Sequence, residues 1–207
     1  MSRRARLYSL IGLGLIMMLA MAFLTLGNTW RMFRANRYYN KGENELAQER
    51  YEDLLVDLPN SPYVQHNLGL SSLRNGQVEK AAANLLEAAG GLEGLKLRKS
   101  RRHKLKNEFY YNLGIAQSDW GVKSEDPQIS QSKCQEALQS FRQAIEADPK
   151  DMDAKYNYEL TLLRLKQPPP DQSSQQQQNE AENIMNMNDA QYFIPRIREE
   201  EPVAKDW

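Results

Sequence analysis

The chain has 207 residues, 27 basic and 27 acidic, with no net formal charge and a mean hydropathy of -0.73. A length of this order suits one folded domain with appendages. Most of the chain is acidic, which excludes a nucleic-acid partner held by a net positive surface, and a single cysteine, Cys134, excludes an intrachain disulfide or a cysteine-rich zinc site. The charges are segregated: residues 1–42 hold seven basic and no acidic side chains, 43–95 three and nine, 96–106 seven and none, 107–167 seven and ten, and 168–207 three and eight.

After Arg3, Arg4 and Arg6 the chain runs from Leu7 to Leu26 without a charge. As a helix rising about 1.5 Å per residue, this run covers roughly the 30 Å of a bilayer's hydrocarbon core. The expectation is a transmembrane signal anchor in residues 1–28 that meets the lipid through residues 7–26. A cleavable signal peptide is the rival, with Ala20-Met21-Ala22 as its small-x-small site. The run continues through Phe23, Leu24 and Leu26, longer than the usual h-region, which favours the anchor. Gly27-Asn28-Thr29 reads as a helix stop followed by a fresh N-cap, and Trp30 falls at the interfacial belt. Arg3, Arg4 and Arg6 with the amino group face Arg31, Arg34, Arg37 and Lys41 across the run, so flanking charge leaves the orientation nearly tied.

A shift of 34 aligns Ala35 with Gly69, Gly42 with Gly76, Ala47 with Ala81 and Tyr51 with Leu85. Gln65-x2-Leu68-Gly69 with Ala81-x3-Leu85, and Tyr110-x2-Leu113-Gly114 with Ala137-x3-Phe141 and Pro149, follow one pattern. An earlier unit shows Tyr38, Gly42, Ala47-x3-Tyr51 and Pro59. The period and motif resemble the tetratricopeptide repeat (TPR), in which small residues let paired helices approach and a large one fills the wedge beside them. Helix pairs of this kind cannot bury their apolar faces alone and stack into a shared core. Three repeats are expected, at about 29–60, 61–94 and 107–150, followed by a capping helix over 151–166 that Pro168-Pro169-Pro170 ends.

Two insertions break the period. Eleven extra residues between Gly121 and Ser132, including Ser124, Glu125, Asp126 and Pro127, read as a surface loop. Between repeats two and three, after Gly90-Gly91, a basic insertion at 95–106 carries Lys96, Arg98, Lys99, Arg101, Arg102, Lys104 and Lys106. It reads either as a solvated loop or basic extension of the next helix, or as a contact for anionic lipid headgroups or an acidic partner.

On a TPR frame the first helix of each pair lines the concave face. Asn67, Asn112 and Asn157 then share one position, each preceded by a ring, His66, Tyr111 and Tyr156, with Asn36 and Tyr39 approaching from the first repeat. Amides with both donors and acceptors suit an extended peptide, and the rings add contact area. The other reading is inter-helix packing. The basic carboxylate clamp of chaperone-binding TPR domains is missing, its positions here including Met32 and Glu108.

No catalytic or metal-binding constellation is present: His66 and His103 lie in different repeats, and no phosphate loop, HExxH pair or GxSxG elbow occurs. Neither enzymatic activity nor a cofactor is expected. His66 reads as a helix-face residue and Cys134 as a small residue at a helix start. Residues 168–207 form a Gln-rich tail expected to be disordered. Its apolar islands, including Tyr192-Phe193-Ile194, and its Lys205-Asp206-Trp207 end read as a linear motif that orders on a partner, or as an inert tail.

The N-terminal anchor, the short repeat array, the helix Lys155-Tyr156-Asn157-Tyr158-Glu159-Leu160, the Gln tract and the terminal Lys205-Asp206-Trp207 together resemble TPR proteins of bacterial aerotolerance (Bat) operons. The resemblance implies MoxR-type AAA+ ATPases and von Willebrand factor A domain membrane proteins as partners. It also implies a single-pass place in a bacterial inner membrane with the TPR domain in the periplasm. The expected fold is all-α: a transmembrane helix, a TPR α-solenoid over 29–167 and a disordered tail. The expected function is a membrane-anchored scaffold for protein-protein interactions in a cell-envelope complex. The alternative is a peptide-binding chaperone or assembly factor for envelope proteins.

Overall fold

Small residues facing large ones set the helix pairing. A side chain on Gly69 would come within 2.6 Å of the Leu85 side chain, and one on Gly114 within 2.6 Å of the Phe141 ring. Ala35, Ala47 and Tyr51 are likewise buried in the first pair. A computed structural model describes residues 3–166 of the chain. Among them lie seven α-helices and one 3-10 turn, and no strand: α1 Arg3–Asn40, α2 Asn44–Asp57, α3 Pro62–Arg74, α4 Val78–Gly91, the turn Leu92–Gly94, α5 Lys99–Lys123, α6 Pro127–Ala147 and α7 Met152–Lys166. The pairs α1/α2, α3/α4 and α5/α6 stack in chain order, and α7 covers the last pair. Tyr192, Phe193, Lys205, Asp206 and Trp207 lie outside the described residues.

One apolar cluster runs from Met32 and Ala35 through Tyr51, Leu54, Leu68 and Leu85 to Phe109 and Ala116. A second joins Tyr111, Ile115, Ala137, Phe141, Ala144 and Ala154, and Leu73 and Tyr110 pack against both. In the first two pairs a left-handed glycine closes the turn, Gly42 with φ 78° and Gly76 with φ 74°. The following amides donate back to the first helix, Glu43 N–H to the Tyr38 carbonyl at 3.0 Å and Gln77 N–H to the Ser72 carbonyl at 2.9 Å. α7 starts on Asp151, whose Oδ1 accepts from the Ala154 amide at 2.9 Å while Oδ2 accepts from Asn107 Nδ2 at 2.6 Å.

Three expectations are corrected. The helix stop at Gly27-Asn28-Thr29 does not occur, because α1 passes through it without interruption. A lone glycine costs about 1 kcal/mol in a helix interior, and continuing the hydrogen-bond ladder on both sides offsets it. The eleven extra residues near Gly121 are not a loop either. Asp126 caps α6 by accepting from the amides of Gln128 and Ile129, and Pro127 takes the first helical position, where its missing N–H costs nothing. The insertion therefore lengthens α5 and α6 and leaves only residues 124–126 as a turn. Gly121 occupies the place of Gly76 at a shift of 45, yet it stays helical and lets α6 approach. A side chain there would come within 2.8 Å of Cys134 Sγ and 3.0 Å of the Ser130 carbonyl. Cys134 accordingly lies well inside α6 rather than at its start.

The basic insertion divides. Residues 95–98 are non-helical, and Lys99, Arg101, Arg102, Lys104 and Lys106 form the first turns of α5.

Candidate functional site

The residues expected to line a groove meet between the repeats. Asn36 Oδ1 accepts from the Tyr51 hydroxyl at 2.7 Å and from Asn67 Nδ2 at 3.1 Å. His66 stacks on Phe109, with ring centroids 4.0 Å apart, and its Nε2 lies 3.0 Å from Asn112 Nδ2. Its Nδ1 lies 3.4 Å from Asn67 Oδ1. One tautomer serves both contacts: Asn112 donates to Nε2, and Nδ1–H donates to Asn67. Asn157 Nδ2 donates to the Tyr111 hydroxyl at 3.2 Å and to the Asp153 carbonyl at 2.9 Å. These pairs form rungs from α1 to α3, α3 to α5 and α5 to α7.

Burial decides what they offer. Tyr39, His66, Tyr111, Asn112 and Asn157 are all buried, while Asn36, Asn67 and Tyr156 are half-buried. Tyr39 lies beneath the Arg74 guanidinium, 3.9 Å from its ring centre. The peptide-groove expectation is therefore corrected to the packing reading for the buried five. A ring and an amide on the inward side of one helix are what the next helix needs, because an apolar wedge and a satisfied polar group fill the seam together. Burial pushes the Tyr39 phenol up to about 12, an effect the nearby Arg74 only partly offsets, and burial also pushes the Tyr51 phenol up. Met32 and Glu108, at the clamp positions, are buried as well.

An open cleft lies elsewhere, and the sequence reading missed it. It holds about 550 Å³, floored by Tyr110, Leu113 and Gln117 of α5 and walled by Leu86 of α4 and by α6 residues including Glu136 and Arg142. Leu86 is 57% exposed there. Ser140 donates to Gln117 Oε1 at 2.7 Å across its base, and Gln117 Nε2 donates to Glu136 at 3.3 Å. The signal was available in Leu86, an apolar residue on the outer face of an otherwise Ala-rich helix.

The first two pairs are cross-linked on their outer face. Lys80 of α4 donates to Glu52 of α2 at 2.5 Å, and Gln48 also donates to Glu52 at 3.0 Å. These two hydrogen bonds hold the Glu52 carboxyl below its ordinary range. Gln48 Nε2 reaches Gln77 at 3.1 Å, and Asn75 donates to Gln48 Oε1 at 2.7 Å. Arg31 of α1 bonds Asp57 at the far end of α2.

Of the basic insertion, Lys96, Arg98, Lys99 and Lys104 are exposed, and Arg101, Arg102 and Lys106 are half-buried. Arg102 donates to the Leu95 carbonyl at 2.9 Å and lies 3.7 Å from Glu93, while Lys106 sits 5.7 Å from the Tyr110 ring centre. Cys134 is buried, which pushes its thiol up and away from reactivity. Among the described residues no group of three or more His, Cys, Asp or Glu side chains could hold a metal ion.

The described side chains of the apolar part of α1 are exposed, among them Leu10, Leu13, Ile16, Met17 and Met21. Among the described residues no helix is long and apolar enough to cross a membrane. The side chains of residues 3–7, 9, 19, 20 and 22–25, half of the apolar run's neighbourhood, lie outside that description.

Residues 34–93 match the tetratricopeptide repeat family. Among curated proteins no sequence matches significantly. Solved structures share the fold. The first TPR of Spaghetti (RPAP3), bound to the HSP90 peptide SRMEEVD, is 16% identical with a TM-score of 0.53, covering 68% of this chain and 94% of that one. The Sgt2 TPR domain from Aspergillus fumigatus is 19% identical with a TM-score of 0.51, covering 70% and 87%. The described helices thus form an all-helical, TPR-like solenoid, and its residues 34–93 match the tetratricopeptide repeat.

Proposed function

We propose that this chain is a membrane-anchored TPR scaffold of a bacterial cell-envelope complex, with its solenoid on the periplasmic side of the inner membrane. The observation that carries the reading is α1. Its upper part exposes Leu10, Ile11, Leu13, Leu15, Ile16, Met17 and Met18 around its whole circumference, and nothing in the solenoid covers them. A helix apolar on every side suits lipid. The run Leu7 to Leu26 holds no charge, and Trp30 stacks on Phe33 just beyond it, with ring centroids 5.6 Å apart, in the manner of an interfacial belt.

The partners are proteins. The likeness to Bat-operon TPR proteins in the Gln tract and the Lys205-Asp206-Trp207 end supports a MoxR-type ATPase and von Willebrand A domain membrane proteins. The cleft between α4, α5 and α6 supplies a mixed apolar and polar surface of the kind that takes a side chain of a folded partner. A peptide-holding chaperone finds less support, since the Asn and ring set is used between repeats. Crosslinking mass spectrometry in native membranes tests the proposal. Crosslinks from α4 and α6 to a fixed set of envelope proteins, with the chain retained after carbonate extraction, are expected. Extraction by carbonate, or crosslinks to a broad range of unrelated clients, refutes it.

A further inference from the structure

We infer that the basic block 96–106 is a docking surface for anionic lipid headgroups beside the anchor. This rests on the anchor proposed above, and it follows from the register between parallel helices. The rungs Asn36–Asn67, His66–Asn112 and Tyr111–Asn157 tie α1, α3, α5 and α7 side by side at one level, all pointing the same way. From that level back to the helix start there are five residues in α3 (Pro62 to Asn67) and five in α7 (Met152 to Asn157), but thirteen in α5 (Lys99 to Asn112). The eight extra residues carry α5 about 12 Å past its neighbours, at 1.5 Å per residue. They extend toward the end from which α1 arrives.

Because α1 is unbroken from its apolar run into the first repeat, the same count locates the bilayer boundary. Leu26 precedes Asn36 by ten residues, and Arg102 precedes Asn112 by ten. Arg102 therefore comes level with Leu26, the last apolar residue of the run, and Lys106 level with Trp30. Long Lys and Arg side chains at that depth reach headgroups by extending along the boundary.

The local electrostatics call for anions. α2, α4 and α7 carry Glu45, Glu79 and Asp153 in their first turns, and α3 and α6 start on capping Ser61 and Asp126. α5 starts on Arg98 without a side-chain cap and has no acid in its first turn, so its basic side chains add to the positive end of the helix dipole. The acids at this end of the solenoid are engaged or set back. Glu93 faces Arg102, Asp57 bonds Arg31, Asp148 accepts from the Lys150 amide, and Asp151 caps α7. A surface of anionic phospholipid complements such a block, each basic side chain adding to the attraction.

The test uses the full chain reconstituted in vesicles of phosphatidylcholine alone or mixed with phosphatidylglycerol. On a Cys134→Ser background, a fluorophore is placed by Lys99→Cys or, as reference at the far end of the α5/α6 hairpin, by Glu125→Cys. Quenching by headgroup-attached nitroxide lipid is then read. Several-fold stronger quenching at position 99 than at 125 is expected in the mixed vesicles. It should weaken as salt shortens the screening length, and weaken again when Arg98, Arg101, Arg102 and Lys104 are replaced by Gln. Equal quenching at the two positions in a carbonate-resistant protein overturns the lipid contact and leaves the anchor standing, as does quenching indifferent to phosphatidylglycerol. Release of the chain by carbonate overturns the anchor and the contact together.

Discussion

Gly114→Ala tests the packing rule on which the solenoid depends. A side chain at position 114 would meet three Phe141 ring carbons at 2.6, 2.7 and 2.9 Å. The ring is fully buried and held edge-on against Tyr111, with centroids 6.0 Å apart, so it has nowhere to move without displacing the second core cluster. Overpacking of this kind costs about 1–3 kcal/mol. Against it stands the helix preference of Ala over Gly, about 1 kcal/mol. With three atoms in overlap the cost falls in the upper part of its range, and a net loss of about 1–2 kcal/mol is expected. The control is Gly90→Ala in α4, where a side chain would meet nothing within 4 Å and the preference acts alone, stabilising by up to about 1 kcal/mol. Equilibrium urea unfolding of the detergent-solubilised chain, followed by far-UV circular dichroism, reads both. In the double variant Gly114→Ala with Phe141→Leu the two changes should cost less than their sum, because the smaller side chain makes room. If Gly114→Ala is as stable as the parent, or gains as much as Gly90→Ala, the wedge explanation of the small-to-large spacing is wrong.

Replacing His66 by Ala removes the ring stacked on Phe109 and leaves the Asn112 amide without that acceptor, so a loss of at least about 2 kcal/mol is expected in the same unfolding assay. Asp126→Ala removes the cap of α6 and should cost about 1 kcal/mol, with faster amide exchange confined to residues 128–130. Stability should also fall in alkali. The folded chain holds Tyr39 protonated up to about 12 and Tyr51 beyond its ordinary value, whereas the unfolded chain ionises both near 10. Their contribution is thus complete below pH 10 and declines as pH rises from 10 toward 12. Urea midpoints measured across that window should drop less for Tyr39→Phe than for the parent, and identical slopes would remove Tyr39 from the account.

The repeat was legible because its signal is local spacing. Gly69 to Leu85 and Gly114 to Phe141 meet as the motif implies, and Gly42 and Gly76 close turns where the period puts them. The terminal helix lies where the proline stop after it implies, and of its leucines and tyrosines Leu160 alone is buried. What failed was assignment of direction. Asn112 and Asn157 share a helix position, but spacing along one helix does not say whether that side meets solvent or the next repeat, and here it meets the next repeat. Asp126-Pro127 is a composition common to loops and to helix starts, and the capping bonds decide for the helix start. Of the cleft only Leu86 was legible, because its walls come from three helices that spacing along one helix does not bring together.

The unbroken course of α1 has an entropic consequence for any partner. A domain hung from its anchor by a flexible linker must give up tumbling when it is captured, and that loss weighs against binding. If α1 is the anchor, as proposed, the solenoid has surrendered tumbling already, keeping rotation about one axis and drift in the plane. Encounters with neighbouring membrane proteins then become a matter of lateral position and azimuth. Two rigid faces presented at a constant height find each other with modest contact area.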